Sequence, residues 1–274
     1  MRQPIITLTT DFGLGDHFVG AVKGVIVSLE PRVRIVDISH EIAPYGIIEA
    51  AFVLAQACRY FPPKTVHVVV VDPGVGTSRR PILAEAGGQY FVAPDNGVLS
   101  MIYAREKHKV RAITTERFFL QPVSSTFHGR DIFAPVAAHL ARGVAPSRFG
   151  RLIVDYARGG FAQPARLDNR TWSGQILKID HFGNLITNFP AAEFPQIGSS
   201  PFEMLAGACR ITCRARSYAE GGPSEVFLIA GSSGYIEIAA NQSSAAKVTG
   251  CPVGATVELR FLRRTVPAPA SGAR

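Results

Sequence analysis

Three short polar stretches carry side chains able to do chemistry, and each adjoins a strand-like or helix-like run. The first is Thr9-Thr10-Asp11-Phe12-Gly13-Leu14-Gly15-Asp16. Its two acids would repel a phosphate, and Gly13-x-Gly15-x4-Gly20 departs from the dinucleotide-binding spacing. Asp11 and Asp16 suit a ribose diol and an ammonium group better. Spacing alone favours a turn or N-cap role for Asp16 and leaves Asp11 open. The second stretch, Val71-Asp72-Pro73-Gly74-Val75-Gly76-Thr77-Ser78-Arg79-Arg80, follows an apolar run. Arg79 is near enough in sequence to fold back on Asp72. Such a pair would keep the carboxylate ionised, fix a water molecule and stabilise developing hydroxide; a salt bridge closing the loop is the structural alternative. The third, Ser124-Ser125-Thr126-Phe127-His128-Gly129-Arg130-Asp131, precedes a helix pattern and puts His128 in a loop or at a helix N-terminus.

Two further stretches lie late in the chain. Asp180-His181-Phe182-Gly183-Asn184 ends a strand with a polar turn. Gly231-Ser232-Ser233-Gly234-Tyr235-Ile236-Glu237 places Glu237 between two isoleucines of an apolar strand. A hairpin turn accounts for the Gly and Ser residues, but less well for Glu237.

The elements that position these loops follow from periodicity. Up to residue 165 strand and helix patterns alternate, which predicts an α/β domain with a mainly parallel sheet flanked by helices. Ile5 to Thr9 is a β-branched run, and Phe18 to Leu29 repeats at helical spacing until Pro31. Val33 to Ile38 reads as a strand, and Ile47 to Tyr60 as a helix. Val66 to Val71 reads as a central strand covered on both faces. Asp95-Asn96-Gly97 is a turn signal, and Ile132 to Ala141 a helix. In an open α/β sheet, ligands bind beyond the carboxyl ends of the strands, where the Asp11 and Asp72 loops should emerge. Arg158 to Asn169 is linker material. From 172 to 265 short strands separated by Gly, Ser and Pro predict an all-β, barrel-like second domain. The Pro267–Arg274 tail is expected to be disordered.

Composition bounds the class. Of 274 residues, 47% are hydrophobic and 18% charged, an ordinary globular balance. The formal charge of +8 comes from scattered Lys and Arg with no basic run interleaved with aromatics, which gives no support to nucleic-acid binding. No apolar run is long enough to span a membrane, and the start of the sequence has no signal-peptide pattern, so a soluble cytoplasmic protein is expected. Cys58, Cys209, Cys213 and Cys251 lack zinc or redox spacing and read as reduced thiols. Taken by themselves, Asp11, Asp16, Asp72, His128 and Asp131 would fit a metal-dependent hydrolase, although no His-x-His or His-Glu-x-x-His pairing anchors a metal.

In order and spacing, these motifs together resemble the S-adenosylmethionine hydroxide adenosyltransferase family, relatives of the bacterial fluorinase and chlorinase. The matching elements run from Thr9-Thr10-Asp11-Phe12-Gly13 through Val71–Gly76 with Arg79 and Phe127–Asp131. They continue with Asp180-x-Phe182-Gly183-Asn184, Thr187-Asn188 and Ser232-x-Gly234-Tyr235-x-Glu237. The resemblance implies an α/β domain followed by a β-barrel-like domain, assembled as a homotrimer with sites between one subunit's first domain and its neighbour's second. It implies hydrolysis of S-adenosylmethionine to adenosine and methionine without cofactor or metal, with Asp72, Arg79 and His128 handling water. Asp11 would bind the ribose hydroxyls, Asp16 and Asp180 the methionine ammonium, and Asn184 the adenine edge. Ser232 would hold the methionine end, Glu237 would line the pocket, and Tyr45 stands where the halogenases carry an aromatic over the sugar. The halogenases differ by an aromatic where Asp72 stands and a Tyr where His128 stands, and the segment from Val92 to Thr126 is too compact for the fluorinase-type insertion. A halogenase, a metallohydrolase of another nucleoside derivative and a non-catalytic adenosine-binding module are the alternatives.

Overall fold

The chain alternates strand and helix from its first described residues: β1 (Ile5–Thr10), α1 (Phe18–Leu29), β2 (Arg34–Ser39), α2 (Ile47–Ala57) and β3 (Val66–Val70). There follow β4 (Pro81–Ala86), β5 (Gln89–Pro94), α3 (Ser100–Arg105), β6 (His108–Ala112), α4 (Ala134–Ala141) and β7 (Leu152–Ile153). The computed structural model describes residues 3–222 and 225–263; the Pro267–Arg274 tail lies outside them. The chain divides into two compact units, Met1–Ala162 and Gln163–Arg274.

In the first unit the sheet runs β2-β1-β3-β5-β4-β6-β7. The strands β2, β1, β3 and β5 run parallel to one another, whereas β4 pairs antiparallel with β5 and β6, and β7 antiparallel with β6. The sheet is therefore mixed, and the sequence shows why. Gly87 and Gly88, both with positive φ, join β4 directly to β5, and so tight a connection can link only antiparallel strands. All five residues of β3 are buried; α4 packs against β3 and β1, and α1 packs on α4. Ile6, Leu8, Val66, Val68, Val22, Ile26 and Phe133 belong to one core cluster. Each fully buried aliphatic or aromatic side chain there contributes about 1.5–3 kcal/mol relative to exposure. The chain enters β2 on one side of β1 and β3 on the other, which makes the β1/β3 crevice a topological switch point.

The second unit contains β8 (Ala165–Arg166), β9 (Thr171–Ile179), β10 (Leu185–Pro190), β11 (Phe202–Ala206), β12 (Cys209–Ile211), β13 (Val226–Ala230), β14 (Tyr235–Ala240), the short α5 (Ala245–Thr249) and β15 (Thr256–Phe261). Its antiparallel sheet is ordered β12-β11-β15-β9-β10-β14-β13, with β8 on β9. Past β12 the chain reaches β13: the Leu228 N–H donates to the Cys213 carbonyl and the Ala215 N–H to the Leu228 carbonyl, each at 2.9 Å. These bonds nearly close the sheet into a barrel around Ile176, Leu185, Phe189, Met204, Ile238 and Leu259. The four cysteines are free thiols, with Cys58 and Cys251 buried. Among the described residues no helix is long and apolar enough to cross a membrane.

Candidate functional site

The parallel register pairs Thr10 with Val70, so Asp11 and Asp72 leave adjacent strands at the same end of the switch-point crevice. They line a cavity of about 270 Å³ together with Phe12, Tyr45, Val70 and His128. Its volume lies just below the range usual for small-molecule pockets, roughly 300–1,000 Å³.

Arg79 does fold back on Asp72. Its Nε donates to Asp72 Oδ1 at 2.8 Å, and Nη2 makes a second, shorter contact with Oδ2. Both side chains are nearly sealed from solvent, at 9% and 5% exposed. Nη2 also lies 2.9 Å from His128 Nδ1. A guanidinium only donates, so Nδ1 must accept and the ring proton sits on Nε2. Burial, reinforced by the Arg79 charge, lowers the His128 pKa from its usual value, while Asp72 and Asp131 oppose the shift. The imidazole is thus held neutral, with its free N–H as a donor.

Local sequence makes this convergence possible. Gly76 adopts φ +76°, and a Cβ there would collide with the Ser125 carbonyl oxygen. Only glycine lets the Asp72–Arg79 loop lie against the Ser124–His128 loop. His128 immediately precedes a π-helical turn, Gly129–Phe133, that runs into α4. The helix therefore begins earlier than Ile132, and Gly129 packs against Val70 and Phe12. Asp131, a candidate metal ligand by type, is fully buried; it accepts the Ser124 N–H at 2.8 Å and is held by Arg130. It fastens the His128 loop. Among the described residues no group of three His, Cys, Asp or Glu side chains is placed to hold a metal ion.

Asp11 uses Oδ2 to accept the Tyr45 N–H at 2.9 Å, leaving Oδ1 for a ligand. Burial raises its pKa, the Tyr45 N–H opposes that, and the charge of Asp72 adds to it. Tyr45 sits at φ +65°, a conformation that costs a non-glycine residue about 1–2 kcal/mol, and the residue is 71% exposed. Asp16 is exposed on the same loop and does not line the cavity. His17, not Asp16, occupies the N-cap position of α1.

The candidates of the second unit form their own cluster. Asp180 Oδ1 accepts the N–H groups of Phe182 and Asn184, and Oδ2 accepts Asn184 Nδ2, all at 2.9 Å. Asn184 is buried. Glu237, opposite Ile186 in the β10–β14 ladder, is also buried, and Tyr218 Oη donates to its Oε2 at 3.0 Å. A Cβ at Gly231 would fall on the Glu237 carboxylate, so the glycine before Ser232 makes room for that acid. Burial raises the Glu237 pKa and the charge of Asp180 adds to this, against the Tyr218 hydrogen bond. Burial and the same two acids push Tyr218 up to about 12. Ser232 is exposed in the β13–β14 hairpin. Tyr218 escaped sequence reasoning because it sits in an irregular polar segment, Arg216-Ser217-Tyr218-Ala219-Glu220, with no periodic signal. The backbone role of Tyr45 was equally illegible, since only a positive φ betrays it.

Residues 6–150 match the family model described as the SAM hydroxide adenosyltransferase N-terminal domain, and residues 174–258 match that of its C-terminal domain. The chain belongs to the SAM hydroxide adenosyltransferase family. It is 38% identical to a protein of Salinispora tropica named (R)-S-adenosyl-L-methionine hydrolase, over 92% of this chain and 95% of that one. A Thermus thermophilus protein of the same name is 34% identical over 94% and 99%. A fluorinase of Nocardia brasiliensis is more distant, at 27% identity over 94% and 97%. A solved structure, an uncharacterized conserved protein from Thermotoga maritima, superposes with a TM-score of 0.83 at 36% identity, covering 93% and 99%.

Proposed function

We propose that this member of the SAM hydroxide adenosyltransferase family hydrolyses S-adenosyl-L-methionine to adenosine and L-methionine. The observation that carries the reading is the Asp72–Arg79–His128 constellation at the switch-point cavity. The relatives named hydrolases, at 34–38% identity, support it.

The substrate's sulfonium makes the ribose C5′ electrophilic and departs as a neutral thioether, so the reaction needs no acid for its leaving group and no cofactor or metal. What the site must supply is an oriented water in line with the C5′–S bond. Asp72 has lone pairs beyond those given to Arg79 and can accept a water proton. The His128 Nε2–H fixes the oxygen, and Arg79 stabilises hydroxide character as it develops. With Nδ1 already engaged by Arg79, the carboxylate is the better proton acceptor. Asp11 takes the ribose hydroxyls through its free oxygen, with Tyr45 at the sugar. Asp16 and Asp180 receive the ammonium, Asn184 the adenine edge, and Ser232 and Glu237 the remaining second-unit side. The chain works as a homotrimer in which each site joins the first unit of one copy to the second unit of a neighbour, and it resides in the cytoplasm.

Incubation with S-adenosylmethionine in water enriched in heavy oxygen tests the reaction by mass spectrometry. Label in the adenosine 5′-hydroxyl is expected, in the presence of chelator. Unlabelled adenosine, a halide-dependent 5′-halo-5′-deoxyadenosine, or activity abolished by chelator would each overturn the reading.

A further inference from the structure

The Asp95-Asn96-Gly97 turn, unused by the mechanism, touches the Asp72–Arg79 loop at both its ends. Where the loop begins, Val71 lies just past the last residue of β3 and is fully buried, so its carbonyl has left the run of paired strand residues. A buried carbonyl needs a partner, and Asn96 Nδ2 supplies it at 2.9 Å. The amide is itself oriented, because Asn96 Oδ1 accepts the Val98 N–H at 3.1 Å. Where the loop ends, the Asp95 N–H donates to the Arg80 carbonyl at 2.9 Å. Asp95 Oδ2 also receives Arg80 Nε at 3.1 Å and Nη2 at 2.7 Å. Asp95 is steadied by the Ala157 N–H, which reaches its Oδ1 at 2.7 Å, and Arg80 by a paired contact with Asp155. The consecutive arginines thus divide the work: Arg79 enters the site, and Arg80 moors the backbone beside it.

We propose that Asp95 and Asn96 are positioning residues, a two-ended clamp that sets the Asp72 carboxylate and the Arg79 guanidinium against His128. This rests on the reading of Asp72 and Arg79 as the groups that handle water. Between its moorings the loop is shaped by local turn bonds, such as Thr77 Oγ1 to the Gly74 carbonyl at 2.7 Å, and it meets the His128 loop through Arg79. Those bonds give the loop shape but do not fix it relative to β3 and β4. A misplacement of about 1 Å at reacting groups costs roughly 100-fold in rate. A side-chain donor at one end and a side-chain ion pair at the other therefore matter to turnover beyond their part in the turn.

The test compares Asn96→Asp and Asp95→Asn with Asp155→Asn, which removes the exposed partner of Arg80 and leaves the turn intact. Melting temperature, kcat and KM for S-adenosylmethionine, and the NMR titration of the His128 ring are measured on the full chain. The expected result is folded protein in which Asn96→Asp and Asp95→Asn lower kcat at least tenfold with KM within about threefold. The His128 titration should move up toward the ordinary imidazole range as Arg79 drifts away, while Asp155→Asn stays near the parent. Folded variants with parental kcat and parental His128 titration overturn the proposal. So does a parallel loss of kcat, KM and melting temperature shared by all three. If the parent protein releases no adenosine, the hydrolase reading fails and the titration alone decides: a displaced His128 in Asn96→Asp supports the clamp, and an unmoved one refutes it.

Discussion

Nη2 of Arg79 lies 2.9 Å from Nδ1 of His128 while the same guanidinium holds Asp72. One cation therefore organises both a carboxylate and an imidazole, and it fixes the tautomer of the ring. Removing Asp72 or His128 should abolish turnover more than it harms binding. Asp72→Ala and His128→Ala are expected to lose at least 100-fold in kcat while binding adenosine within about tenfold, ~1.4 kcal/mol. Arg79→Lys should fail similarly, since an ammonium cannot serve both partners in the fork geometry. Steady-state kinetics with adenosine calorimetry checks this; equal losses of rate and affinity would mean that these side chains only hold ligand.

The pH profile follows from the direction of the His128 shift. The ring must be neutral to accept from Arg79, and its pKa is lowered by burial and by that cation. Activity should therefore hold level from pH 8 down through the ordinary imidazole range, about 6.5, and fall only below it. An inflection above that value in the plot of kcat/KM against pH would contradict the arrangement.

Acid stability has a separate source in β3. His67 is fully buried, 2.7 Å from the Thr7 hydroxyl through Nδ1 and stacked on Phe91, and burial lowers its pKa to about 4. The unfolded chain binds a proton near pH 6.5 that the folded chain refuses, so stability is lost as pH falls from 6.5 toward 4. The slope is ~1.4 kcal/mol per pH unit, of order 3 kcal/mol in all. His128 and His139, also lowered, act in the same sense. Urea unfolding between pH 7.5 and 5 should show this slope, and His67→Phe should flatten it by about one proton.

Gly76→Ala tests the loop contact. The substitution meets both a positive φ and the Ser125 carbonyl, so the two loops must separate. A loss of more than tenfold in kcat is expected, with a stability cost of about 1–3 kcal/mol from backbone strain. Retained activity would show that the loops need not touch.

In the second unit, Tyr218→Phe removes the hydroxyl that satisfies Glu237. The cost of an unsatisfied buried acceptor, about 1–3 kcal/mol, should appear as a KM for S-adenosylmethionine raised roughly tenfold with kcat little changed. A fall in kcat alone would place Tyr218 in the chemical step.

Much of this was legible because the signals were local. The period of Phe18 to Leu29, the apolar run of β3 and the glycines around Asp72 each declare a helix, a buried strand or a bend. Motif order alone links the Asp11, Asp72 and His128 loops. The mixed sheet was not legible: whether β4 pairs back on β5 depends on Gly87-Gly88, which reads as a turn but not as a strand direction. The early start of the helix at Gly129 was hidden as well, because Gly129 and Arg130 break the apolar period that marks Ile132 onward. Tyr218 meets Glu237 only through tertiary folding, and the mooring of Arg80 by Asp95 only through the antiparallel ladder.

Asp11 follows the last residue of β1 and Asp72 lies two beyond the last of β3, just past the Thr10–Val70 pair, so the paired strands root both loops side by side. Substitutions at Asp11 and Asp72 therefore change the chemistry of the crevice while the strands beneath it keep their register.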